Sequence, residues 1–181
     1  MALVLPIDSR QQEQVIEATV ACLERAKDLF ERDFVHIPVR FDLKGRAAGM
    51  FKVSGKQSVI RYNPYIFAKF FDENLRQTVP HEVAHYVTHE MHSLKRHFAL
   101  RHSHVRPHGK EWQDVMFKLG ADPSRTCNFD MTGIPVRVYS YHLYVCDCRQ
   151  HQLGSRRHNR VFRRQANYHC RLCGSLLRQT A

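Results

Sequence analysis

Acidic residues are in short supply in this sequence: 17 Asp and Glu stand against 28 Lys and Arg, a formal charge of +11 over 181 residues. An imbalance of that size in a small protein points to a polyanionic partner, nucleic acid first, rather than to solubility alone. Long apolar runs are also missing. None approaches the roughly 18 residues that a membrane helix requires, so no span is expected. The opening Met1-Ala2-Leu3-Val4-Leu5-Pro6-Ile7 is too short for a secretory signal and has no basic leader, so a cytoplasmic location is expected. Repeats and low-complexity segments are absent as well. Hydrophobic residues are not scarce: at 43 % they exclude a disordered chain. In a reducing compartment, the six cysteines read as thiols or metal ligands rather than disulfides. Thirteen histidines are many, and metal chemistry is one reason to carry them.

The chain reads as α+β. Asp8-Ser9 caps a first helix running to about Arg32, with Val15, Thr19, Cys22, Leu23, Ala26, Leu29 and Phe30 on one apolar face; Cys22 belongs to that core. Pro38 breaks the pattern. Strand-like alternation follows at Val39, Phe41 and Leu43, then from Gly49 through Phe51 and Val53, then from Ser58 to Tyr62, as a small antiparallel meander. Asn63-Pro64 starts a short helix that supplies Tyr65, Ile66, Phe67, Phe70 and Phe71 to the core. Asp72 is placed to cap a further helix carrying Leu75, Val79, Val83, Ala84 and Val87 up to about His92. Pro80 inside that pattern would cost about 3 kcal/mol, so a kink there, or a restart just before His81, is expected. Residues 92–106 read as a loop or irregular helix. A helix opened by Pro107-His108 then places His108, Trp112, Val115, Met116 and Leu119 on one face and ends at Gly120. A connector over 124–136 leads to strand-like residues and a cysteine-rich tail. The expected division is a domain over 1–136 and a basic one over 137–181.

The helical pattern contains Pro80-His81-Glu82-Val83-Ala84-His85, an H-E-x-x-H sequence. Residues four apart on a helix lie about 6 Å along and roughly 40° round from one another, so His81 and His85 reach one metal ion. Glu82 points to the same side, near a metal-bound water, as the general base of a zinc hydrolase does. A catalytic zinc site needs a third ligand. His89 and His92 are too far along the helix, about 12 and 16 Å from His81. A metzincin would need Gly and His where Thr88 and Met91 stand. His108, on the apolar face of a separate helix, is the better choice, with His102 and His104 as rivals in an unconstrained loop. No oxyanion-stabilising residue stands out among Tyr62, Tyr65 and the loop histidines.

The tail holds Cys146-x-Cys148 and Cys170-x-x-Cys173-Gly174, two pairs separated by a segment expected to be strand and turn. Four thiols in this pattern read as a closed structural zinc site, although the first pair is one residue tighter than usual. Cys127 has no partner nearby and reads as a buried thiol or a bystander. From Cys146 onward there are eight arginines, no lysine and the single acid Asp147, a formal +7. Arg156, Arg157, Arg160, Arg163 and Arg164 therefore form the candidate nucleic-acid surface, since the guanidinium fork suits phosphate. Phe162, Tyr168 and His169 lie among them, as stacking residues or as the tail's own core.

Taken together, Pro80-His81-Glu82-Val83-Ala84-His85, Pro107-His108-Gly109-Lys110-Glu111-Trp112 and the paired cysteines around Arg156-Arg157-His158-Asn159-Arg160 resemble the bacterial SprT family. The resemblance implies a minimal zincin-like metalloprotease domain with a C-terminal zinc ribbon. It implies His81, His85 and His108 as ligands of a catalytic zinc and Glu82 as catalytic base. It also places the chain near the eukaryotic Spartan proteases, which degrade proteins crosslinked to DNA. The chain departs from the family at Arg164, where relatives carry glycine.

The leading expectation is a zinc-dependent endopeptidase with one catalytic and one structural zinc. It would act on proteins bound to DNA, single-stranded or at junctions, or to RNA, without a membrane and as a monomer by default. An extended substrate would pair with the strand near Gly49 to Val53. The rival is a non-enzymatic zinc-ribbon nucleic-acid binder, and a third reading is a hydrolase of a non-peptide bond. An intact Glu82 favours the enzyme, because a structural site needs no base.

Overall fold

The computed structural model describes residues 3–55, 57–98, 106–123, 129–136 and 140–180, with 93–98 as backbone only. The chain divides into two compact units, Met1–Val136 and Arg137–Ala181.

In the first unit, α1 (Ser9–Phe30) starts at a capping box in which Asp8 accepts from the Gln11 backbone and the Gln11 side chain bonds back to Asp8. Its buried stripe is Val15, Thr19, Leu23 and Ala26, with Cys22 packed beside it. Leu29, expected on that stripe, is 40 % exposed, because the helix ends within two residues and the core has turned away.

A three-stranded sheet follows, of β1 (Val39–Arg40), β2 (Gly49–Ser54) and β3 (Gln57–Tyr62), in the order β1-β3-β2. β2 and β3 form the expected antiparallel hairpin. β1 departs from the expected meander: it runs parallel to β3, on the side away from β2. The extended chain around it keeps following β3, with Ile60 N–H bonded to the Pro38 carbonyl and Leu43 N–H to the Tyr62 carbonyl. The loop after Leu43 then crosses to the other side of β3. The most buried strand, with Ile60 and Tyr62, is thus central, and β2 is left at an edge.

The buried Asn63 caps α2 (Pro64–Lys69) by accepting from the Tyr65 and Ile66 N–H groups. Ile66 and Phe67 are fully buried, whereas Tyr65, Phe70 and Phe71 are only partly so. The single long helix expected after Asp72 is two helices. α3 (Phe71–Arg76) has no side-chain cap, and Asp72 lies within its first turn. α4 (Thr78–Phe98) begins after a one-residue break at Gln77. This accounts for Pro80. It occupies the first turn of α4, where a helix has no internal partner for its N–H groups, so the missing donor costs nothing. Buried Asn74 secures the junction, donating to the Phe70 carbonyl and accepting from the Thr78 hydroxyl at 2.7 Å. Beyond His92, the backbone to Phe98 is regular helix rather than loop. Among the described residues, the last element of this unit is α5 (Lys110–Lys118), after which Gly120 turns with φ +63°. Val15, Leu23 and Ala26 of α1, Val79, Val83 and Val87 of α4, Ile60, Tyr62 and Phe67 share one core with Trp112 and Met116.

The second unit is an antiparallel sheet of β4 (Tyr141–Val145), β5 (Gln150–Gly154) and β6 (Arg178–Gln179), in the order β5-β4-β6, with α6 (Ser155–Phe162) after β5. α6 departs from the strand and turn expected between the cysteine pairs. Its arginines are good helix formers, and Val161 packs on a small core of Tyr144, Leu153, Cys170 and Leu177. Among the described residues, no helix is long and apolar enough to cross a membrane.

Candidate functional site

One turn apart on α4, His81 and His85 bring their Nε2 atoms to 3.2 Å. The third imidazole comes from outside any helix. His108 precedes α5 in a turn at φ +58°, and Gly109, not His108, caps that helix. Helical periodicity placed His108 on the helix; the left-handed turn, closed by Gly109 N–H to the Arg106 carbonyl at 2.8 Å, swings its ring to α4 instead. His108 Nε2 lies 3.0 Å from those of both His81 and His85.

Hydrogen bonding does not account for this triangle. A neutral ring nitrogen is either donor or acceptor, so at least one of three mutual contacts always sets like against like. Protonation worsens the conflict. Burial, then the charge of His108, pushes the His81 imidazole down to about 4. Burial, then His81 and His108, pushes His85 down to about 3. Three imidazoles with ring nitrogens converging at this spacing are a ligand set, and zinc fits it.

Trp112, only 1 % exposed on α5, touches all three rings. Its centroid is 4.7 Å from those of His81 and His108, edge-on, and 5.4 Å from that of His85, stacked at 29°. Its indole N–H points to the His81 carbonyl at 3.4 Å. The spacing His108-x-x-x-Trp112 was visible in the sequence, but nothing there showed the indole as the floor of the cluster.

Glu82 is 5 % exposed, and burial pushes its carboxyl up to about 8, partly offset by a hydrogen bond from the Phe51 backbone. The edge strand β2 passes directly over it at Gly49, a contact that only the glycine in the sequence hinted at. Tyr62 is fully buried and hydrogen-bonded with Thr19, which removes it from the candidates for oxyanion stabilisation. His89 packs on the Phe51 ring at 5.6 Å and is not part of the histidine cluster. His102, His104 and Cys127 lie outside the described residues, as does the His97 side chain.

In the second unit, the Sγ atoms of Cys146, Cys148, Cys170 and Cys173 all lie within 4.8 Å of one another. Backbone N–H groups of Cys173 and Leu172 draw the Cys170 thiol down to about 5, and Ser175 lowers Cys173. The neighbouring sulfurs, Cys146 first, push Cys148 up to about 12. Four thiols this close cannot all ionise without a cation among them, so this set also suits zinc. Gly174, at φ +74°, closes the Cys170–Cys173 turn with its N–H on the Cys170 carbonyl. His151 Nε2 stands 3.2 Å from Cys146 Sγ, a neighbour that the cysteine spacing did not reveal.

Arg156, Arg157 and Arg160 project from α6, and Arg163 and Arg164 follow its end, all five exposed. Tyr168 packs against the unit's core beneath the Arg157 guanidinium, whereas Phe162 is exposed.

Comparison with known proteins gives a consistent picture. The model of the SprT-like family matches residues 19–140. Protein SprT of Vibrio parahaemolyticus is 34 % identical over 158 residues, 87 % of each chain. Protein SprT of Vibrio atlanticus is 34 % identical over 168 residues, 92 % of each chain, and that of Shewanella oneidensis 32 % over 163 residues, 90 % of this chain and 95 % of the relative. No solved structure matches.

Proposed function

This chain belongs to the SprT-like family, and on that footing we propose that it is a zinc-dependent endopeptidase of minimal zincin-like fold acting on nucleic-acid-associated proteins. The observation that carries the reading is the convergence of the His81, His85 and His108 Nε2 atoms at 3.0–3.2 Å, one residue from a buried carboxylate.

Zinc held by those three imidazoles would polarise a substrate carbonyl and make bound water acidic near neutral pH. The protein supplies the rest. Burial raises the Glu82 carboxyl of the metal-free protein, and the charge of a zinc bound beside it would draw it back to the carboxylate. In that form Glu82, next in sequence to a ligand and kept from bulk water under Gly49, accepts the proton of the attacking water on a carboxylate oxygen and returns it to the leaving amine. Trp112 holds the imidazoles converged. The outer edge of β2 offers backbone groups to an extended peptide, aligning it over the site by strand addition. The second unit reads as a zinc ribbon whose arginines bind phosphate, bringing the protease to substrates on nucleic acid.

The test is to incubate a DNA-binding protein with the wild type and with Glu82→Gln, with and without single-stranded DNA. Wild-type cleavage that falls by about two orders of magnitude or more in the variant is expected. Equal cleavage by both proteins overturns the role of Glu82.

A further inference from the structure

The two cysteine pairs of the second unit are not held alike. Cys170 and Cys173 span a tight turn whose backbone faces the sulfurs. Cys170 Sγ receives the N–H groups of Leu172 and Cys173, and Cys173 Sγ receives that of Ser175. Such donors take up part of the charge that thiolates leave on a metal. Cys146-Asp147-Cys148 is one residue shorter, and its first N–H is committed elsewhere. It closes the β4–β5 turn on the Arg149 carbonyl at 3.0 Å. The oxygen of that carbonyl also stands 3.4 Å from Cys146 Sγ, and Cys148 Sγ stands at 3.5 Å. Once the sulfurs ionise around a cation, both of these neighbours present lone pairs to Cys146.

His151 supplies what they do not, and strand register puts it there. His151 pairs with Tyr144 across the β4–β5 hairpin. Cys146, the next residue on the same face as Tyr144, is therefore its diagonal neighbour. A long side chain spans that diagonal, and His151 Nε2 comes to 3.2 Å from Cys146 Sγ. The ring is half-buried on a regular strand and lies outside the set of four converging sulfurs. Of the three polar atoms named against Cys146 Sγ, the imidazole nitrogen alone can bring a proton to a thiolate.

We infer that His151 is a positioning residue of the ribbon's zinc site. In the metal-loaded protein its Nε2–H donates to the Cys146 thiolate, in place of the backbone amides that serve the Cys170–Cys173 turn. This rests on the zinc-ribbon reading above and gives the ring a role outside the ligand set. The short first pair and the histidine three residues after it are then one device: the spacing forfeits an amide donor, and the strand returns one from a side chain.

The experiment uses the full chain carrying His81→Ala, which leaves the four-cysteine set as the intact metal site, loaded with zinc or with cobalt(II). Chelator competition should show zinc held at least about tenfold more weakly in His151→Leu. His151→Gln, whose amide N–H can stand where Nε2–H does, should remain within about threefold of the parent. Cobalt(II) spectra give a readout that packing alone would not move. The sulfur-to-metal charge-transfer band should shift to longer wavelength in His151→Leu, keep its four-thiolate intensity, and return in His151→Gln. Proton–nitrogen NMR of the zinc-loaded chain should find His151 protonated at Nε2. A bare Nε2 there, or a parent spectrum of three thiolates, overturns the donor role by making the ring a ligand. Equal weakening in His151→Leu and His151→Gln with an unmoved band reduces the residue to packing and overturns it too, as does undiminished affinity in His151→Leu. A parent that binds no metal overturns the ribbon reading and this inference with it.

Discussion

Gly49 of the edge strand passes so close to Glu82 of α4 that a β-carbon on it would stand 2.6 Å from both the Cγ methylene and the carboxylate Oε1 of that side chain. The same β-carbon would meet Thr78 Cγ2 at 2.8 Å, so it has no side to move to. The absence of a side chain at position 49 is therefore what lets the strand and the Glu82 side chain coexist. Gly49→Ala should displace the Glu82 carboxylate and cost about 1–3 kcal/mol of stability through overpacking. Cleavage should fall at least about tenfold, while zinc bound by His81, His85 and His108 is unchanged. Zinc content and kcat/KM measured together check this, and loss of both in parallel would contradict it.

Trp112 is the only tryptophan in the chain and lies against all three histidine rings, which makes it a reporter as well as a support. Its emission should change when zinc is added to metal-free protein. Trp112→Phe keeps an aromatic ring but loses the N–H contact to the His81 carbonyl and part of the stacking area. Weaker zinc affinity, by about tenfold in chelator competition, is the expected result, as for other groups that orient a metal ligand. Unchanged affinity would show that the histidines hold their convergence without the indole.

The sequence disclosed the groups that chemistry constrains by spacing and hid those that depend on backbone conformation or on distant pairing. His81 and His85 are legible because a helix turns every 3.6 residues, and the cysteine pairs because a metal knuckle needs short spacings. His108 was identifiable as a residue but not as a conformation, since its left-handed φ leaves no trace in periodicity. The break at Gln77 was hidden because α3 and α4 both continue the same apolar pattern. The parallel pairing of β1 depends on which side of β3 the intervening loop crosses to. α6 was missed because a run of Arg, His and Asn has almost no apolar residues to set a period.

Two separate donor sets, each suited to a metal ion, lead to the prediction of two zinc ions per chain. His81→Ala leaves two imidazoles and should reduce the content to one, as should Cys170→Ser in the other set. Because the sets lie in different compact units, each variant should retain the other ion. Elemental analysis of the purified variants decides it, and a full complement in His81→Ala would contradict the ligand assignment.

The buried groups of the histidine site give the metal-free protein opposed pH limbs. Folded Glu82 keeps its proton up to about pH 8, whereas the unfolded chain releases it near 4.5. Its contribution to stability is therefore complete below 4.5 and lost as pH rises toward 8. His81 and His85 refuse protons until about pH 4 and 3, whereas the unfolded chain accepts them near 6.5. Their contribution is complete above 6.5 and lost as pH falls. Between pH 4.5 and 6.5 the two histidines outweigh the single carboxyl, so chelator-treated protein should be most stable near pH 6.5. Glu82→Gln should flatten the alkaline limb alone, so thermal melts of both proteins across pH 4–9 that show parallel profiles would contradict the burial argument.

Arg164 closes α6 where glycine is the usual residue. Its N–H bonds to the Val161 carbonyl at 2.9 Å, and that of Gln165 to the Arg160 carbonyl at 2.8 Å, the paired bonds of a Schellman turn. That turn requires a left-handed residue, and Arg164 adopts φ +54° despite its side chain. The conformation costs an L-residue about 1–2 kcal/mol that glycine does not incur, part of which glycine returns through its freer unfolded chain. Arg164→Gly and Arg164→Ala remove the same charge, so DNA affinity should fall equally in both. Only the glycine relieves the strain, so it should exceed the alanine variant in stability by about 1 kcal/mol in urea unfolding of the zinc-loaded chain. Equal stability of the two variants would mean that the turn relaxes once the arginine is gone. The positive φ would then belong to the side chain rather than to the helix terminus.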